Sequence, residues 1–235
     1  MNRQAKRYFV IGTDTGVGKT VLSLLMIRFC YERGDSPFYI KPLQTGCRGP
    51  YDTDSDSKLI YKHVKELKGK DPADSMIYCF KNPKAPYFAA RDEGKETDID
   101  VKAIREFVDR KAQFFNPLVL EGAGGLFVPV DKNLFMVDLV KETTADPVVA
   151  ARAGLGTINH TLLTLEALQK RGLRPAGVVL MDSGATPTSQ DMIDENIEAI
   201  ETASGIDVAG VIEKIADFSD PGRVYNPVLE RILGE

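Results

Sequence analysis

RYFVIGTDTGVGKT, Arg7 to Thr20, carries a short apolar run into a turn holding Gly12, Gly16 and Gly18, and then into a longer apolar stretch that opens with Lys19-Thr20. A strand that ends in glycines and re-enters as a helix aims backbone N–H groups and the helix N-terminus at one point, which suits a phosphate. Gly12, Thr13, Asp14, Thr15, Gly16, Val17 and Gly18 are the candidate cradle. Lys19 is the candidate cation for the β- and γ-phosphates, and Thr20 the candidate hydroxyl ligand of Mg2+.

The usual P-loop spacing, G-x-x-x-x-G-K-[ST], puts its first glycine where this chain has Thr13. The glycine stands one residue earlier, at Gly12, so the loop is one residue longer. Around this unit, short β-rich runs recur at residues 8–11, 38–40, 118–120, 147–151, 176–181 and 208–212, each reading as a buried parallel strand. Helical patterns alternate with them over 19–33, 55–67, 101–115 and 158–170. The fold predicted is α/β, a doubly wound, mostly parallel sheet flanked by helices, P-loop NTPase-like. Residues 81–96, with two prolines among charges, read as a surface excursion or a lid rather than a core element.

A chain of 235 residues, 43% hydrophobic and 27% charged, fits one P-loop α/β domain over 1–235, and no repeat or linker divides it. Thirty basic against 34 acidic residues, net −4, with no long Lys/Arg block, argue against a nucleic-acid partner. Cys30, Cys47 and Cys79 show no CxxC spacing, and the reading is a reduced, cytoplasmic protein without structural zinc. The opening MNRQAKRYFVIG holds too few apolar residues for a signal segment, and no apolar run reaches membrane-spanning length.

Further chemistry is expected on the carboxyl edge of the sheet, where open α/β sheets bind ligands. Lys41 ends the strand in FYIKPLQTG, and reads as a solvated lysine alone but as a phosphate cation beside the P-loop. In YDTDSDSKL the acids cap a helix, with Asp54 or Ser55 as N-cap and Asp56 in the first turn, or they bind metal. Glu121 ends the strand in PLVLEGAGG, where an acid would help hold Mg2+. RAGLGTINH leads through two glycines into a helix start, a second anion site for a carboxylate or phosphate. His160, in that helix's first turn, is assigned no chemistry.

GTDTGVGKT, YIKPLQTG, the acidic SDS segment, VLEGAGG and GLGTINH occur in this order, and from about Arg7 to Asp182 the sequence resembles the dethiobiotin synthetases. The resemblance implies an ATP-dependent enzyme, usually a homodimer with its diamine site near the interface. It acts on 7,8-diaminononanoate and CO2, through a carbamate and a carbamic-phosphoric anhydride. By the same resemblance Lys19 and Lys41 stabilise phosphate, and Thr20, Asp56 and Glu121 associate with Mg2+. Thr15, Lys41, Thr45 and Gly124 lie near the carbamate and the diamine, with Thr45 in place of a serine. Gly156, Thr157 and Asn159 receive the substrate carboxylate from the neighbouring subunit. Two positions depart from the family pattern: Met181 stands where an asparagine reads the adenine ring, and Gly16 where some members carry glutamate.

Two other readings compete. ParA- and MinD-like switches carry a second lysine early in the loop, where this chain has Asp14, and need a basic surface or a membrane helix. ATP-dependent amidoligases of the cobyrinic-acid type usually add a glutaminase domain, for which 235 residues leave no room.

Overall fold

A computed structural model describes residues 4–218 and 223–234. In chain order the elements are β1 (Arg7–Gly12), α1 (Lys19–Glu32), β2 (Phe38–Thr45), α2 (Asp56–His63), β3 (Met76–Phe80), α3 (Pro86–Asp92), α4 (Val101–Lys111), β4 (Leu118–Gly125), α5 (Met136–Glu142), β5 (Asp146–Arg152), α6 (Thr157–Gln169), β6 (Gly177–Asp182), α7 (Gln190–Ser204), β7 (Val208–Glu213) and α8 (Asn226–Leu233). The strands form one seven-stranded sheet in the order β3-β2-β4-β1-β5-β6-β7, and every pairing in it is parallel.

Parallel strands covered by helices on both faces are buried on both sides, so β1, Arg7–Gly12, is buried along its whole length. Helix α1 is apolar almost all round for a related reason: Leu22, Leu24, Leu25, Met26, Ile27, Phe29 and Cys30 are all buried between the sheet and its neighbouring helices. From β1 the chain runs to β2 on one side, whereas β4 crosses to β5 on the other. This reversal leaves a crevice outside the carboxyl ends of β1, β4 and β5, the position where such sheets bind ligands. Gly12, Thr45, Gly125, Arg152 and Asp182 end their strands on this one edge.

The six strands read from the sequence all form, and β2 and β4 run on to Thr45 and Gly125. A seventh, β3, the five-residue apolar run Met76–Phe80, lies at the sheet edge, where only Phe80 is fully buried. The stretch 81–96, read as having no core element, contains α3, whose Ala89 and Ala90 are 0% exposed. Pro86 stands at the first helical position, where a missing N–H costs nothing and the fixed φ favours helix, so the proline starts a helix instead of breaking one. The helix expected over 55–67 stops at His63 and continues as a 3-10 turn, Lys65–Leu67. The one expected over 101–115 stops at Lys111, and Phe115 stacks on Phe38 with ring centroids 4.7 Å apart.

Candidate active site

The loop after β1 is shaped by what sits under it. A β-carbon on Gly12 would lie 2.6 Å from the Asp14 carbonyl oxygen, 2.8 Å from Lys19 Nζ and 2.8 Å from Val17 Cγ2. No side chain fits there without moving the loop or the lysine. Gly18, at φ 98°, makes the left-handed step that launches α1. Gly12→Ala overpacks this turn by about 1–3 kcal/mol. The expected result is a roughly ten- to hundred-fold loss of ADP affinity in a folded protein, measured by calorimetry.

Lys19 curls back over the loop, its Nζ donating to the Asp14 carbonyl oxygen at 3.0 Å, and it is only 7% exposed. Burial first, and then the neighbouring Lys41 charge, pull its ammonium down to about 8. The carboxylate of Asp14 accepts from the Thr15 N–H at 2.6 Å and pairs with Arg152 at the end of β5 at 3.3 Å.

Beside the loop, four side chains from four elements meet. Thr20 on α1 donates its hydroxyl to Asp56 Oδ1 at 3.0 Å or to Glu121 Oε1 at 2.8 Å. Lys41 on β2 places Nζ 2.7 Å from Asp56 Oδ2 on α2, 2.8 Å from Glu121 Oε1 on β4 and 3.0 Å from the Gly122 carbonyl oxygen. Lys41 is 3% and Glu121 1% exposed. Burial alone would depress the Lys41 ammonium, but Glu121 and Asp56 outweigh it and hold it above the usual lysine value. Asp56 is pushed up by its own burial and pulled down further by Lys41, with the net direction downward.

Helix α2 shows how Asp56 reaches this cluster. The N-cap is Ser55, whose Oγ accepts from the Lys58 N–H at 3.3 Å, while the Asp56 N–H donates to Gln44 Oε1 at 3.3 Å. Capping is thus done by Ser55, and the Asp56 carboxylate is left for Thr20 and Lys41. Two residues that the sequence reading passed over belong here. One is Gln44, and the other is Tyr39, whose hydroxyl donates to Glu121 Oε2 at 2.9 Å.

A cleft of about 330 Å³ opens next to the loop, lined by Thr13, Asp14, Thr15, Phe127, His160 and Leu163 among others. Gly124 backs onto it, since a β-carbon there would lie 3.5 Å from Thr15 Oγ1. Thr45 is half-buried at the end of β2. Gly156, Thr157 and Asn159, at the start of α6, are not among the residues lining this cleft. Thr157 is buried with its Oγ1 3.3 Å from Thr161 Oγ1, whereas Asn159 faces solvent on the same stretch as Leu155, 87% exposed, and Leu163, 57% exposed.

Met181 is 3% exposed and lies beneath the loop, its Cε 2.9 Å from where a β-carbon of Gly18 would be. The Asp182 carboxylate accepts from the Thr188 N–H at 3.0 Å and the Thr188 hydroxyl at 2.8 Å. Beyond it a second cavity of about 550 Å³ runs between the ends of β6 and β7, bounded by Pro187, Val211, Glu213 and Tyr225. No group of three or more His, Cys, Asp or Glu side chains suited to a metal ion occurs among the described residues. Nor is any helix among them long and apolar enough to cross a membrane.

Comparison with known proteins places this geometry. A family model described as an AAA domain matches residues 6–222. The ATP-dependent dethiobiotin synthetase BioD of Hydrogenobaculum sp. is 39% identical over 200 residues, covering 80% of this chain and 86% of the relative. The protein of the same name from Bacillus licheniformis is 33% identical over 229 residues, 97% of this chain and 93% of the relative. That from Methanococcus vannielii is 33% identical over 216 residues, covering 89% and 94%. Among solved structures, the MinD cell division protein of Aquifex aeolicus superposes with a TM-score of 0.62 at 16% identity, covering 98% of both chains. A ParA family ATPase from Chlorobium tepidum TLS gives 0.54 at 13% identity, covering 98% of this chain and 90% of that one. At such identities these two show a shared fold alone, that of P-loop NTPases.

Proposed function

Because the chain belongs to the ATP-dependent dethiobiotin synthetases, ligases of biotin biosynthesis, we propose that it closes the ureido ring of dethiobiotin from 7,8-diaminononanoate and CO2, cleaving ATP to ADP and phosphate. One amine adds to CO2 and loses a proton, giving a carbamate. A carbamate oxygen then attacks the γ-phosphorus and ADP departs. The second amine attacks the carbonyl carbon of the resulting carbamic-phosphoric anhydride, and phosphate leaves with the C–O electron pair as the ring closes.

The observation that carries this reading is the pairing of Lys41 with Asp56 and Glu121 next to a second buried lysine, Lys19, that curls over a phosphate-shaped loop. Phosphoryl transfer needs alignment and positive charge more than a protein nucleophile. Residues 12–20 would wrap the triphosphate. Lys19, whose ammonium is pulled down to about 8 by burial and the Lys41 charge, gains an anionic partner when phosphate arrives. Lys41 would stabilise the charge that moves onto the transferred phosphate and the carbamate.

Mg2+ suits the donor set. Two carboxylates and a hydroxyl are hard oxygen ligands, few enough for an ion that keeps waters and phosphate oxygens, and the Lys41 ammonium already stands between the two acids as a cation in their midst. Thr20, Asp56 and Glu121 would hold the ion, whose chemistry is to neutralise phosphate oxygens as charge shifts toward ADP. Thr15, Thr45 and Gly124 would contact the carbamate and the diamine. A further cavity of about 410 Å³, lined by Gly16, Val17, Arg152, Met181 and Thr188 among others, is the place for the nucleoside, where Met181 offers no polar group to the base.

The working unit proposed is a cytoplasmic homodimer of single-domain chains, residues 1–235, with neither a nucleic-acid nor a membrane partner. In it Gly156, Thr157 and Asn159 of the partner subunit receive the substrate carboxylate. Exposed Leu155 and Leu163 beside Asn159 supply an apolar surface for that contact.

The deciding test is ADP release by the purified protein with Mg-ATP, omitting in turn the diamine and bicarbonate, with mass detection of the cyclised product. Release that needs both, with product formed, is the expected result. Release indifferent to both would favour an ATPase switch of the MinD or ParA kind.

A further inference from the structure

Tyr39 and Lys41 stand two residues apart in β2 and therefore share a face of the sheet. On the neighbouring strand, Val119 pairs with Tyr39 in register, and Glu121 follows two residues later on that same face. The tyrosine thus leans along the sheet toward the carboxylate that Lys41 and Thr20 also address. Its hydroxyl reaches Glu121 Oε2 at 2.9 Å, while Lys41 and Thr20 both meet Oε1 at 2.8 Å.

We propose that Tyr39 is a positioning residue, holding the Glu121 carboxylate so that Oε1 faces Thr20, Lys41 and the incoming Mg2+. The proposal rests on the metal role given to Glu121 above. A carboxylate turns easily about its last torsion, which is broad and two-fold, so a fixed donor on one oxygen sets the direction of the other. Tyr39 is 1% exposed, and a phenylalanine would bury the same ring; the extra hydroxyl is costly there unless it has a partner. Groups that orient metal ligands in this way typically change metal affinity or activity by about ten- to a hundred-fold when removed.

The test uses the full chain with Mn2+ as probe, its free concentration read by electron paramagnetic resonance in the presence of ADP. Tyr39→Phe should weaken Mn2+ binding in the ADP complex by roughly ten-fold or more, while ADP affinity without metal and the KM for the diamine stay unchanged. In a Glu121→Gln background the same substitution should add nothing, because the partner through which it acts is gone. Unaltered Mn2+ affinity, or an equal shift in both backgrounds, would overturn the assignment and leave Tyr39 a packing residue. Should Tyr39→Phe not fold, 3-fluorotyrosine at position 39 keeps the hydroxyl. Its fluorine resonance should move as Mg2+ saturates the ADP complex, and a resonance that stays put overturns the proposal. The metal-affinity and fluorine readings require neither diamine nor CO2, so a wild-type protein that forms no dethiobiotin would sink the ring-closing reaction without deciding the role of Tyr39.

Discussion

Lys41→Ala is expected to lower turnover on the order of a hundred- to a thousand-fold while Mg-nucleotide still binds, because the lysine is proposed to meet charge that develops only as phosphate transfers. The structure adds a second expectation that a surface lysine would not raise. Its ammonium sits 2.7 Å from Asp56 and 2.8 Å from Glu121, and its removal leaves two carboxylates facing each other, one of them 1% exposed. Taking one partner out of a buried ion cluster typically costs about 3–5 kcal/mol. The variant should therefore melt well below the wild type in chelator, and Mg2+ or Mn2+ should restore much of the loss by binding the folded state alone. Metal titrations with thermal melting, alongside steady-state kinetics, check both halves. Near-normal turnover would remove Lys41 from the mechanism. A melting temperature indifferent to metal would remove Asp56 and Glu121 from the metal site.

Much of this cluster was legible from residue types and spacing because its members stand next to short apolar runs or at a helix start. Lys41 and Glu121 each follow a short apolar run, and in an all-parallel sheet the carboxyl halves of the strands share one edge, so two residues far apart in sequence could be brought together on paper, although β2 and β4 run on past both to Thr45 and Gly125. Asp56 was ambiguous, since an acid before a helix serves equally as cap or ligand; only the Ser55 bond to the Lys58 N–H separates the two. Tyr39 was hidden for another reason. Its ring satisfies every expectation of a core residue, and the partner that explains its hydroxyl lies 82 residues away. β3 escaped although Met76–Phe80 is apolar throughout, and its mostly half-buried edge position sets it apart from the buried central strands; α3 escaped because a proline at a helix start reads as a break when its neighbours are charged. Met181 announced a departure from the family pattern, but only its burial beneath Gly18 shows that the side chain is turned away from solvent.

The proposed origin of the substrate's carboxylate site makes a prediction that needs no structure of the dimer. Asn159 faces solvent and does not line the cleft beside Thr15, so within one chain it has little to do with the reacting end of the diamine. If it serves the neighbouring subunit, Asn159→Ala removes a hydrogen bond to a carboxylate, typically about 1.5–3 kcal/mol, and diamine use at low concentration should fall ten-fold or more with nucleotide binding intact. Lys41→Ala and Asn159→Ala would then fail for reasons that lie in different subunits of the same site. Unfolded together and refolded, or coexpressed, the two impaired proteins form mixed dimers in which one site joins an intact Lys41 to an intact Asn159, and the other site carries both defects. Random pairing gives half mixed dimers with one good site in two, so activity should climb to about a quarter of the wild-type value. A site built within one chain allows no such rescue, since every chain in the mixture carries one defect. Activity that stays at the level of the separate variants, with mixed dimers demonstrated by mass, would return Asn159 to the status of a surface residue and leave the substrate carboxylate to be sought in the cleft lined by Phe127 and His160.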